Sequence, residues 1–213
     1  MKNVILTVAA IFVFGFANAQ DKKEKSGEGF SNGDVFVTGS VGFGSTKTGD
    51  VKADTFNFSP KFGFFVTENI AVGAQLGVST SKNDNGGNGT TSPSTITKNN
   101  GFNGGVFGRY YFIPAAKFSP FANLGFGFGS NKVTTDSKFG GTTTSSEGKN
   151  QSINAGLGLG FNYFVAPNWA LEATWAGLSY TSNDNGGSGA TKTNTFGLNA
   201  NTSSINFGVL YKF

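Results

Sequence analysis

From Gly33 to the last residue the chain repeats a two-residue alternation of apolar and polar positions, about a dozen residues at a time. That period marks a β-strand whose two faces meet different surroundings. Strands are predicted over 34–44 (Val35, Val37, Val41 and Phe43 on one face), 55–66 (Phe56, Phe58, Phe62, Phe64) and 70–80 (Ile70, Val72, Ala74, Leu76, Val78). The pattern resumes over 101–113 (Phe102, Val106, Tyr110, Phe112), 118–130 (Ala122, Leu124, Phe126, Phe128) and 151–165 (Ile153 through Tyr163 at every second residue). It continues over 169–180 (Leu171, Ala173, Trp175) and ends over 204–213, where Ile205, Phe207, Val209, Tyr211 and Phe213 share a face and only Leu210 breaks the alternation.

The connections alternate in length. Short turns are expected at 67–69, 114–117 and 166–168, and long polar loops at 45–54, 81–100, 131–150 and 181–201. Eight strands of about ten residues, joined alternately by short and long connections, predict an all-β, eight-stranded antiparallel transmembrane β-barrel. Both termini then lie at the short-turn end, on the periplasmic side. Closure follows because hydrocarbon offers no partner to the polar groups of an open strand edge.

Alternation does not say which face points outward, and a soluble barrel with an apolar interior would show the same period. Composition separates the two. Charged residues make up only 13% of the chain against 15% aromatic, with 33 Gly and 24 Phe. The polar strand faces hold Gly, Asn, Ser, Thr and Gln rather than the Lys and Glu of a water-facing surface. The apolar face therefore meets lipid. Tyr110, Tyr163, Trp169 and Tyr211 fall near the short-turn ends of their strands, where an interfacial aromatic girdle belongs.

Three charges are inset within strands: Lys61, Arg109 and Glu172. A charge facing lipid at mid-depth costs about 2–4 kcal/mol, so all three are expected inside, meeting as a lumenal polar plug. Arg109, the chain's one Arg, suits a bidentate pair with Glu172, with Gln75, Asn103, Asn123, Asn154 and Asn162 as supporting donors and acceptors. Gly125, Gly127 and Gly129 are expected beside Gly156, Gly158 and Gly160 on the next strand, leaving room for Phe107, Arg109 and Tyr111 to lean over bare backbone. A narrow channel or a small hydrophobic-solute conduit is the alternative use of the same interior.

The amino terminus reads as an export signal: Lys2, an apolar run over 4–16, and Ala17-Asn18-Ala19 ahead of Gln20. Residues 1–19 are assigned as signal peptide, 20–32 as a flexible periplasmic lead-in, and 33–213 as the barrel. A formal charge of +4 spread over scattered Lys gives no nucleic-acid footprint. With no Cys and no His, the chain has no thiolate metal site and no His general base; neither cofactor nor enzymatic activity is expected. Asn83-Asp84-Asn85-Gly86-Gly87 recurs as Asn183-Asp184-Asn185-Gly186-Gly187, read as tight turns in two outward loops; one carboxylate per copy is few for calcium.

From 33 to 213 the chain resembles the small eight-stranded outer-membrane barrels of the OmpX/OmpA-transmembrane type and the outer-membrane β-barrel domain family. The resemblance rests on the export signal, the eight alternating strands, Leu171-Glu172 after the Asn168 turn, and the ending Tyr211-Lys212-Phe213. It implies location in the cell outer membrane and contact with its lipid and lipopolysaccharide. It also implies insertion by the barrel assembly machinery, with Val209, Tyr211 and Phe213 as the C-terminal signal. The expected role is structural or surface-interacting, in envelope integrity or adhesion, through loops that take a surface ligand. Loop lysines such as Lys47, Lys52, Lys132 and Lys138 either stay solvated or touch lipopolysaccharide phosphates.

Overall fold

A computed structural model describes residues 27–186, 189–199 and 206–213. The stretch expected to be an export signal, residues 20–26 and 204–205, Gly187 of the second repeated motif, and the side chain of Trp175 lie outside that description. The strands are β1 (Val35–Thr48), β2 (Val51–Phe65), β3 (Ile70–Asp84), β4 (Ser94–Tyr111), β5 (Phe118–Phe139), β6 (Thr142–Ala166), β7 (Trp169–Asn183), β8 (Thr193–Asn199) and β9 (Asn206–Lys212). From β1 to β8 each strand pairs antiparallel with the next in sequence, and β9 joins both β7 and β1, so the sheet closes. Segments β8 and β9 pair with successive stretches of β7 and together make the eighth stave of a closed eight-stranded barrel.

The apolar face points outward. Val41, Phe43, Val106, Phe126, Phe128, Ile153, Leu157 and Val209 all expose half their surface or nearly so. On β5 and β6 the band is bounded by the register pairs Phe118↔Tyr163 and Phe128↔Ile153. Ten residue steps at ~3.3 Å, tilted ~40° from the barrel axis, give roughly 25 Å, the height of an outer-membrane apolar belt.

The long polar connections are largely continued strand, with a loop left at 85–93 between β3 and β4. β5 and β6 stay in register to Phe139↔Thr142, so 131–150, expected as a loop, is a hairpin turning at Gly140-Gly141, both at positive φ. Likewise β1 and β2 pair to Thr48↔Val51 across 45–54, and β8 lies within 181–201. The correction has a simple origin. Periodicity is visible only where the two faces of a strand differ, and beyond the membrane both faces meet water. Thr and Ser there support strand geometry without alternation.

The amino-terminal lead-in also departs from expectation. Its described part, from Gly27 on, packs into the barrel mouth: Phe30 is buried at the short-turn end, and its N–H donates to the Pro114 carbonyl at 2.7 Å. A single large apolar residue within QDKKEKSGEGFSN anchors a stretch whose overall composition reads as loose.

Candidate functional site

The barrel interior is built in tiers from the short-turn end. The lowest tier is aromatic: Phe30 stacks on Phe65 at 4.7 Å and meets Tyr111 and Phe164 at 5.0 Å each, with Phe36 and Leu210 completing a buried cluster. Leu210, the residue that broke the alternation of the last strand, is fully buried there because its position faces inward. Beside this tier Lys212 donates to the carbonyls of Gly29 (2.6 Å) and Gly27 (3.1 Å), with Asp34 at 3.9 Å. The first described residues and the last strand are thus clasped together. Outside the strands, Lys117 pairs with Glu28 at 2.9 Å, and that hydrogen bond raises the Lys117 pKa.

The second tier holds two of the three inset charges. Arg109 on β4 reaches Glu172 on β7 through Nη1 to Oε2 at 2.6 Å and Nη2 to Oε1 at 3.1 Å, a bidentate pair. Its Nε donates to Asn123 Oδ1 at 3.1 Å, its register partner on β5. Tyr111 Oη accepts from Arg109 Nη1 at 3.3 Å and from Asn162 Nδ2 at 3.1 Å. The guanidinium also lies 4.3 Å from the Phe121 ring centre and 5.0 Å from that of Phe107. Arg109 is 1% exposed and Glu172 5%, so the pair is held without water as its main solvent.

Lys61 stands one step further from the aromatic tier. Its Nζ is 3.9 Å from Glu172 Oε1 and its side chain is a quarter exposed. It borders a cavity of about 220 Å³ that Gln75, Asn103 and Thr174 also line. The three inset charges therefore converge, but unequally. Asn154 lies away from them, against Gly127.

Aromatic cover of strand glycines is present at one of the expected glycines, Gly160, and otherwise at Gly63 and Gly73. Phe36 lies over Gly63, Phe107 over Gly73 and Phe121 over Gly160, each ring occupying the space a Cβ would need. Gly125 and Gly156 do pair in register, with no ring over them. Sequence reasoning missed Phe30, which lies among Gly and Ser, and Phe36, Phe65, Phe121 and Phe164, whose apolar neighbours hid the inward face.

At the short-turn rim the structure places Tyr110, Tyr163 and Trp169 outward and about half exposed. Trp169 meets Tyr211 edge-on at 4.8 Å, and Tyr211 meets Phe213 at 4.9 Å. Val209 pairs with Gly39 and Tyr211 with Val37, while the Phe213 N–H donates to the Val35 carbonyl at 2.9 Å. At the far end, the repeated motifs form matching turns. Asp84 Oδ1 accepts from Gly86 N–H (3.0 Å) and Asp184 Oδ1 from Gly186 N–H (3.1 Å). Asn85 and Asn185 donate to the carbonyls of Pro93 and Thr191.

The model of a family described as the outer membrane protein beta-barrel domain matches residues 6–213. This chain belongs to that family. An outer-membrane barrel accounts for the outward apolar belt and the inward charges together. Solved structures similar to it include the N-terminal β-barrel domain of OprF from Pseudomonas aeruginosa (16% identity, 86% of this chain and 100% of that one, TM-score 0.42). OprG from the same organism is similar at 15% identity over 88% and 99%, TM-score 0.45. Ail, the attachment invasion locus protein of Yersinia pestis, is similar at 15% over 85% and 99%, TM-score 0.40. Comparison with curated proteins gives no match.

Proposed function

We propose that this outer-membrane barrel is a sealed, non-enzymatic surface protein, contributing to envelope integrity and to surface contacts through its protruding hairpins. The observation that carries the reading is the paired tier: the Arg109–Glu172 bridge lies directly above a closed aromatic layer, and both are almost fully buried. Solvent crossing the barrel would have to break a bidentate buried ion pair and displace Phe30 with its neighbours. In this reading both termini are periplasmic, the long hairpins face outward, and the assembly machinery engages the outward face of the last strand at Val209, Tyr211 and Phe213.

The test is single-channel conductance of the refolded mature chain in a planar bilayer after insertion is confirmed. A silent inserted barrel is expected; steady, reproducible openings would sink the sealed reading. One observation favours a conduit as the second reading. Among the described residues, pairing between β1 and β9 runs from Phe36↔Lys212 to Gly39↔Val209. The cavity beside Lys61 reaches Gly39, Ser40 and Asn206–Gly208, the described residues just past that seam. A solute taken up there would leave sideways through the wall rather than along the axis.

A further inference from the structure

Seven lysines stand at one level of the barrel wall. On β1 and β5 the last outward apolar residue of the belt is followed four positions later by lysine, as Phe43-to-Lys47 and Phe128-to-Lys132. The same spacing recurs on β3 as Val78-to-Lys82. On strands running the other way it recurs in reverse, as Lys52-to-Phe56, Lys98-to-Phe102, Lys149-to-Ile153 and Lys192-to-Phe196. Within a strand four residues keep the face, so the six lysines of β1 to β6 share the outward side of their apolar partners, and Lys192 stands just before β8. At ~3.3 Å per residue and ~40° of tilt they lie roughly 10 Å beyond the belt's edge.

Register turns this spacing into a ring. Lys47↔Lys52, Lys82↔Lys98 and Lys132↔Lys149 are directly opposed across β1–β2, β3–β4 and β5–β6. Like charges directly opposite each other destabilise a sheet, and three such pairs at one height serve no folding purpose. The nearby carboxylates only partly offset them: Asp54 takes Lys52 (3.0 Å), Asp136 takes Lys98 (3.6 Å), and Glu147 is shared by Lys132 (2.7 Å) and Lys149 (3.6 Å). Asp84 lies opposite Lys52, and Asp184 lines one groove with Lys192. Lys47 and Lys82 are exposed.

We infer that this ring is a binding belt for the phosphate groups of lipid headgroups in the leaflet at the long-hairpin end. A wall residue about 10 Å beyond the hydrocarbon edge sits at headgroup depth, facing lipid and not the lumen. Lysine there extends its stem along the wall and presents a cation to an anionic neighbour. The six opposed lysines outnumber the four carboxylates beside them, Asp54, Asp84, Asp136 and Glu147, and leave positive charge that phosphates would neutralise. The assignment of this leaflet as the outer one rests on the orientation proposed above; the chemistry of the ring does not.

The test uses the refolded mature chain in phosphatidylcholine vesicles containing a minor fraction of bis-phosphorylated lipid A, re-extracted in neutral detergent, with retained lipid A counted per chain. Wild type is expected to retain lipid A severalfold more than a variant with all seven lysines changed to Gln. A seven-Arg variant and Lys138→Gln, a lysine beyond the ring, should retain it like wild type. Unfolding of the Gln variant in pure phosphatidylcholine should match wild type; if it does not insert, Lys82→Gln/Lys98→Gln and Lys132→Gln/Lys149→Gln carry the same comparison. Equal retention by wild type and these variants would overturn the belt. Displacement of lipid A by inorganic phosphate at matched phosphorus concentration would overturn its assignment to lipid. Cysteine labelling of whole cells tests the orientation separately.

Discussion

Glu172→Gln isolates the charge of the buried pair while keeping its shape. In the wild type Arg109 has one bidentate carboxylate, one amide oxygen from Asn123, the Tyr111 hydroxyl and the Phe121 face around it. The substitution leaves all but the carboxylate, and the new amide still accepts one guanidinium N–H. Breaking a buried pair by removing one partner costs about 3–5 kcal/mol. The surviving hydrogen bonds place this variant near the lower figure, while Lys61, at 3.9 Å from Glu172, turns from a third partner into an uncompensated neighbour of Arg109. A loss of about 3 kcal/mol is roughly a hundredfold in the folding equilibrium. With m about 1–3 kcal/mol/M in urea, the midpoint should fall by about 1–3 M. The assay is urea unfolding of the vesicle-inserted barrel, followed by its heat-modifiable mobility on gels. The double variant Arg109→Met/Glu172→Leu should recover most of the loss, because replacing both ions with apolar groups leaves no unpaired charge. A Glu172→Gln midpoint equal to wild type, or a double variant no better than the single one, would refute the placement of uncompensated charge as the cause.

Phe30→Ala should cost about 3 kcal/mol or more in the same assay, since a buried ring packed on Phe65, Tyr111 and Phe164 leaves a cavity behind; an unchanged midpoint would mean the lead-in does not pack. Gly63→Ala should destabilise by about 1–3 kcal/mol, because the new methyl takes the place of the Phe36 ring, and Phe36→Leu in the same background should relieve part of that loss. The Asp184 carboxyl is held below the usual carboxylate range, first by the Gln151 N–H and then by that of Gly186. Its contribution to the loop is therefore full above the ordinary carboxylate pKa of about 3.9 and is lost only as pH falls through the lower folded value. The amide shifts of Gln151 and Gly186 should step below about pH 4 and show no step in Asp184→Asn. Because the chain has no Cys, Thr143→Cys on the β5–β6 hairpin should react with an impermeant maleimide on whole cells, and Glu68→Cys at a short turn should not; the reverse would invert the proposed orientation.

What could be read from the sequence follows from where the two faces of a strand see different solvents. Within the belt, lipid lies on one side and a polar or packed lumen on the other, so Phe126, Phe128 and Leu157 announced their strands and faces by period alone. The inset charges were legible for the same reason, since Arg109 and Glu172 on the polar face had nowhere to go but inward and toward each other. Contrast fails in two places. Above the belt both faces are wet, so β5 and β6 continue through Lys132, Thr134 and Thr143 with no alternation to mark them. At the short-turn mouth both faces are apolar, so Phe36, Phe65 and Phe164 inside were hidden among apolar outward neighbours such as Val37, Phe64 and Val165. The lysine ring belongs to neither case. Its signal is a fixed four-residue offset from the edge of the apolar belt, repeated on six strands and again just before β8, and it acquires meaning only when the register sets Lys47, Lys82 and Lys132 beside Lys52, Lys98 and Lys149. A fold needs no such repetition of opposed like charges, whereas a planar layer of phosphates surrounding a cylinder would be met by cations at one height on successive strands.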